Sequence, residues 1–186
     1  MTTLTIYPDN GTGQGQVLKD FPAIAQALHG IGVEMEKWEA NRILDRNATQ
    51  DEVLTAYKTS IDKLNGKYGF KSIDVVSLNP DHPDKATMRQ KFLAEHTHAD
   101  FEVRFFVEGR GLFYLHVGDK VYTVLCEKGD LISVPANTTH WFDMGTNPYF
   151  KCIRFFTSAE GWVGNFTGNE IVKQFPDFDQ YVAALN

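Results

Sequence analysis

Apolar and polar positions along the chain follow two regimes, and the change falls close to residue 95. Before it, short strands alternate with helices. Residues 3–7 alternate as a strand, and residues 9–15 turn. Asp20 ahead of Pro22 starts a helix over 23–28, which Gly30 and Gly32 stop. Val33 and Met35 against Glu34 and Glu36 make a half-buried strand. Thr49 with Glu52 three residues later is a capping box. The helix it opens carries Val53, Leu54, Tyr57, Ile61 and Leu64 at helical spacing and ends at Asn65-Gly66. A strand over 73–78, a Pro-rich loop over 79–84 and a short helix through Met88 and Phe92 follow.

From His96 to about Phe156 the pattern becomes strand and tight turn alone. The predicted strands are 98–108, 111–117, 120–126, 130–135, 139–143 and 149–156, separated by glycine-bearing turns at 109–111, 118–119, 128–130 and 145–148. Short antiparallel strands at this spacing indicate a small barrel or jelly roll. The expected fold is therefore mainly β, with additional N-terminal helices packed on the barrel. All 186 residues are read as a single domain: an N-terminal region of helices and strands over 1–94, a barrel core over 95–157 and a C-terminal segment over 158–186.

Composition narrows the function classes. A chain that is 42% hydrophobic and 23% charged can bury a core and is not disordered. A net charge of −6 argues against nucleic acid as a partner. No apolar run approaches the roughly 20 residues that span a bilayer, and the N-terminus lacks the basic and apolar regions of a signal peptide. A cytoplasmic protein without a membrane partner is expected, and a monomer is the default. Cys126 and Cys152 sit in apolar strand-like runs, which reads as two buried small hydrophobes rather than a disulfide. Gly11, Gly13 and Gly15 lack the strand and acidic partner of a dinucleotide site and read as a flexible turn.

The candidate chemistry lies where the regimes meet. His96, His98 and Glu102 are separated by two and then four residues, so in an extended strand all three face one side. His140, in a second strand-like segment, is the best candidate for a fourth metal ligand. Three imidazoles and a carboxylate suit a divalent first-row ion such as iron, nickel, manganese or zinc. The absence of cysteine argues against structural zinc. Four protein ligands on an octahedral ion leave two adjacent positions, a catalytic arrangement. Arg104 shares the parity of the ligands and should face the same cavity, to hold a substrate oxygen or steady a carboxylate. Phe92, Phe106, Phe142 and Trp162 are candidates for an apolar wall around a substrate. Glu95 and Asp143 flank the ligands as candidate bases or partners to the imidazoles, although odd parity turns Glu95 away. His29, His82 and His116 are left out as structural or solvent-exposed.

His96-x-His98-x3-Glu102-x6-Gly109 and Gly129-x5-Pro135-x4-His140 resemble the two cupin motifs. Asn137 stands where the cupin pattern usually has glycine, and asparagine tolerates the left-handed backbone this turn needs. More narrowly, Glu102-Val103-Arg104-Phe105-Phe106, the stretch from Val134 through His140-Trp141-Phe142-Asp143 to Gly145, and Glu160-Gly161-Trp162 resemble the acireductone dioxygenases. The likeness extends to Trp38-Glu39-Ala40 and the helical N-terminal half. The resemblance implies a cupin-type double-stranded β-helix and one Fe(2+) or Ni(2+) per chain. It implies O2-dependent cleavage of 1,2-dihydroxy-5-(methylthio)pent-1-en-3-one, an acireductone, in methionine salvage. With iron the family yields formate and 4-methylthio-2-oxobutanoate; with nickel it yields carbon monoxide, formate and 3-methylthiopropionate. A sugar-phosphate isomerase or another cupin oxidase is the alternative enzyme, but an isomerase needs several cations for phosphate and only Arg104 stands out. A non-catalytic cupin has little need of four intact ligands.

Overall fold

The structure is a computed structural model that describes residues 1–185. In chain order the elements are β1 (Thr3–Pro8), β2 (Gln16–Leu18), α1 (Phe21–His29), β3 (Glu34–Lys37), α2 (Gln50–Ala56), α3 (Lys58–Tyr68), β4 (Ser72–Leu78) and α4 (Lys85–Leu93). They continue with β5 (His96–Thr97), β6 (Glu102–Val117), β7 (Lys120–Glu127), β8 (Asp130–Val134), β9 (Thr139–Asp143), β10 (Phe150–Phe156), β11 (Asn165–Phe166) and α5 (Phe178–Ala184). One sheet runs β11-β5-β9-β6-β7-β1-β2. The other joins β3 to β8, β8 to β6, β6 to β10 and β10 to β4, all antiparallel. The two curl around a common interior as the expected jelly-roll barrel.

The helices form as their caps dictate. Asp20 accepts from the Ala23 amide ahead of α1, and Thr49 and Glu52 complete the capping box of α2. Three apolar clusters then fix the layers. The barrel interior holds Phe106, Phe113, Phe142, Phe150, Ile132 and Val134, closed at one end by Ile24 and Leu28 of α1. The outer face of the second sheet, with Val103, Phe105 and Ile153, is covered by Val53, Tyr57, Ile61 and Leu64 of α2 and α3. The outer face of the first sheet, with Tyr114, Leu125 and Trp141, is covered by Phe175, Phe178 and Tyr181.

Three expectations on the elements are corrected. The helix predicted from Thr49 breaks at Tyr57 (φ −108°) into α2 and α3, and α3 runs past Asn65-Gly66 to a left-handed Gly69. The strands predicted at 98–108 and 111–117 are one strand, β6, which starts only at Glu102. Its first half pairs with β8 and β10 and its second half with β7 and β9, so β6 belongs to both sheets. The crossing point is Gly109 (φ +65°), paired with Phe150 of β10, next to a bulge in which β6 carries Val107 as an extra residue between the partners of Lys151 and Cys152. A Cβ placed there would lie 1.8 Å from the Tyr149 carbonyl oxygen, so only glycine fits the corner. The C-terminal segment, unassigned from sequence, supplies β11 and α5. Cys126 and Cys152 are buried free thiols, as expected. No helix among the described residues is long and apolar enough to cross a membrane.

Candidate metal centre

The ladders bring the predicted cluster together by a route different from the one the spacing suggested. A single regular strand does not carry His96, His98 and Glu102. His96 lies in the two-residue β5, where it is the direct cross-strand partner of His140 in β9. The chain leaves the ladder after Thr97, and the His98 carbonyl accepts from the Asn137 amide at 2.7 Å. Asn137 is left-handed (φ +62°), as expected of the residue in the glycine position. Glu102 opens β6. The imidazole nitrogens of His96, His98 and His140 lie within 4.8 Å of one another, all three rings buried.

Each ring is oriented by a backbone carbonyl. Nδ1 of His96 lies 2.6 Å from Ala94 O, Nδ1 of His98 2.6 Å from Val163 O, and Nδ1 of His140 2.8 Å from Thr138 O. A carbonyl only accepts, so each Nδ1 carries the proton and each Nε2 is left as a potential lone-pair donor. Glu102, 1% exposed, places Oε2 3.0 Å from Nε2 of both His98 and His140. Nε2 of His96 and of His98 are buried without a hydrogen-bond partner. Orphaned ring nitrogens beside a carboxylate, in an N3O set, are what a borderline divalent cation satisfies.

Protonation follows the surroundings. Burial, with the neighbouring His140 charge, lowers the His96 pKa to about 4, so this ring is neutral at physiological pH. For His98 burial pulls the same way but is outweighed by Glu102, and its pKa rises. Glu102 itself is pushed up by burial and more strongly pulled down by Arg104 and the two imidazoles, so it stays ionised.

Arg104, also 1% exposed, shares the inward face of β6, as its parity required. Its Nε donates to Glu102 Oε1. The guanidinium lies 4.6 Å from the Phe142 ring centroid, 4.9 Å from that of Phe113 and 5.8 Å from that of Phe92. Its Nη1 is buried and unpaired. Trp162 covers the histidines, 5.6 Å from the His96 ring and 5.3 Å from the His98 ring, and touches Phe92 edge-on. Phe142 continues that contact toward Arg104, and Phe106 packs against Phe113 and Phe142 in the barrel interior. The open space beside the cluster is a cleft of about 570 Å3 outside His98, between residues 98–100 and 156–163; none of the four predicted wall residues lines it.

Two flanking candidates are committed elsewhere. Glu95 meets Thr167 Oγ1 at 3.2 Å and lies 3.6 Å from His116 Nδ1, turned from the metal cluster as its parity indicated. Asp143 accepts from Arg89, Gly145 and Phe178, and serves as an anchor rather than a base. His29 pairs with Glu34 at the surface, and His82 accepts from the Asp84 amide in its loop. The carbonyls of Ala94, Thr138 and Val163 escape a reading of residue types, because a backbone acceptor has no residue type to betray it. Asp100 escapes for another reason: it shares the parity of the ligands, but it lies in the gap between β5 and β6, where alternation does not set direction, and its carboxylate turns to the amides of Thr157 and Ser158.

The sequence model of the ARD/ARD' family matches residues 3–164. Proteins named acireductone dioxygenase from Methylococcus capsulatus and Aquifex aeolicus are 56% and 54% identical to the chain. Each alignment covers 98% of this chain and, respectively, 98% and 99% of the relative. Among solved structures, the acireductone dioxygenase of Bacillus anthracis, with a cadmium ion in its active centre, aligns with a TM-score of 0.79 at 30% identity. That alignment covers 89% of this chain and 98% of the other.

Proposed function

The chain belongs to the acireductone dioxygenase family, and from that premise we propose that it cleaves 1,2-dihydroxy-5-(methylthio)pent-1-en-3-one with O2 in methionine salvage. The carrying observation is the buried set of three imidazoles with Glu102, in which the His96 Nε2 has no partner within the protein and the His98 Nε2 faces only the Glu102 carboxylate. His96, His98, His140 and Glu102 would hold one Fe(2+) or Ni(2+) per chain. The ion supplies a Lewis acid and a template for two adjacent substrate oxygens.

The protein contributes orientation, charge and dryness. Three backbone carbonyls fix the proton on Nδ1 of each imidazole and aim the Nε2 atoms at one point. Glu102 and Arg104 cancel in charge, so a bound dication would leave two uncompensated positive charges, which a doubly deprotonated enediol would neutralise. The unpaired Nη1 of Arg104 is a donor available to a substrate oxygen. Phe92, Phe142 and Trp162, with Phe106 behind them, exclude water on the barrel side and strengthen those interactions by lowering the local dielectric. The chain is read as one domain that acts as a monomer.

The bound ion sets the products: formate and 4-methylthio-2-oxobutanoate with iron, or carbon monoxide, formate and 3-methylthiopropionate with nickel. The test is oxygen uptake by iron- and nickel-loaded protein supplied with the acireductone, with carbon monoxide measured in the headspace. Uptake with both ions and carbon monoxide with nickel alone is expected. No uptake with either ion overturns the reading.

A further inference from the structure

The three ring orientations are not fixed in the same way. His96 and His140 donate to carbonyls two residues earlier in their own segments, Ala94 and Thr138, so their rings are set by local backbone. His98 donates to Val163, 65 residues away, on the irregular stretch between β10 and β11. That stretch also carries Trp162, which covers His96 and His98. The aim of His98 therefore depends on what holds residues 157–163 in place.

One end is held by β11, whose Asn165 and Phe166 pair with Thr97 and His96. The other end is held by Asp100. Its carboxylate accepts from the Thr157 amide at 2.6 Å, the Ser158 amide at 2.9 Å and the Phe101 amide at 2.7 Å, and also from the Thr157 hydroxyl. Four donors converge on one side chain two residues from His98, in the gap where the chain has left one sheet and not yet joined the next. A carboxylate is the only side chain there with enough lone pairs to take them all.

We propose that Asp100 is a positioning residue for the metal centre: it clamps the start of the 157–163 strap, and through Val163 and Trp162 it sets the orientation and cover of His98. The inference rests on the ligand reading above, but on metal binding rather than on turnover.

Cobalt(II) is the probe, because its visible absorption reports ligand number and geometry without substrate. Full-length wild-type, Asp100→Ala, Asp100→Asn and Thr157→Val proteins are titrated with cobalt and their spectra recorded, with thermal unfolding as a control. Asp100→Ala is expected to bind cobalt about 10- to 100-fold more weakly, the range for loss of an outer hydrogen-bond partner, with an altered visible band. Asp100→Asn, which keeps one acceptor oxygen, should fall between it and wild type. Thr157→Val removes one donor only and should shift affinity and band in the same direction by less; it carries the test if Asp100→Ala does not fold. Wild-type affinity and spectrum in Asp100→Ala, or in Thr157→Val where that variant carries the test, overturns the clamp and leaves the ligand reading standing. A wild-type protein that takes up no cobalt overturns both.

Discussion

Arg104 donates through Nε to Glu102 two residues before it, on a strand face where both side chains are 1% exposed. A buried carboxylate is costly alone, and the Arg104 charge is the largest influence that holds it ionised against burial. Replacing Arg104 with Met should lower stability by about 3–5 kcal/mol, the cost of stranding one member of a buried pair. Urea unfolding measures this. Metal affinity should fall in parallel, since a Glu102 that takes up a proton is a poorer ligand.

Single alanine substitutions of His96, His98, His140 or Glu102 should each abolish stoichiometric metal uptake and oxygen consumption. Elemental analysis after dialysis distinguishes this from a loss of turnover alone.

Metal uptake should also depend on pH, and His96 and His98 contribute differently. His96 stays neutral down to about pH 4 and offers no proton to compete with a cation. His98, whose pKa is raised by Glu102, takes up a proton as pH falls, and that proton must leave before a metal binds. Below the His98 pKa, affinity should drop by at least about tenfold per pH unit, the signature of a displaced proton. Calorimetric titration in buffers of different ionisation enthalpy counts it.

Asp143 has the opposite sense. Burial raises its pKa, but Arg89 and the amides of Phe178 and Gly145 outweigh that, so it is held below the ordinary carboxylate value. The folded state then binds this proton less readily than the unfolded chain does. The stabilisation is complete above about pH 4 and is lost as pH falls through the folded-state pKa. In Arg89→Met only the two amides oppose burial, and the contribution of this group should shrink. Urea midpoints between pH 3 and 7 for both proteins show the change of slope.

Gly109→Ala should cost at least about 4 kcal/mol, a value reached only by gross steric conflict or buried charge. The positive φ is one penalty, and the 1.8 Å approach to the Tyr149 carbonyl is the larger one. Expression yield and urea midpoint check it.

Much of this is legible in residue order, for identifiable reasons. The capping signals at Asp20 and Thr49, the left-handed Asn137 and the inward parity of Arg104 are local properties that later contacts do not override. The strand boundaries near the site are less legible. Alternation fails in β6 because both faces of its first half are buried, one by the barrel interior and one by α2 and α3. A regular strand through His98 predicts the right convergence for the wrong reason: three histidines meet because β5 pairs with β9, not because one strand presents them. Val163 cannot be found from residue order at all, since its contribution is a carbonyl delivered by chain 65 residues away.

The single strand β6 passes from one sheet to the other at Gly109, and the cluster straddles that passage. Glu102 stands on the half paired with β8 and β10, whereas His96 and His140 stand on strands of the opposite sheet. An ion held by all of them would be a rivet between the two sheets, added to the side-chain packing and the shared corner that already join them. Loading the centre should raise the melting temperature with ion concentration and slow amide exchange in both sheets at once, so that the same event that arms the enzyme also tightens its frame.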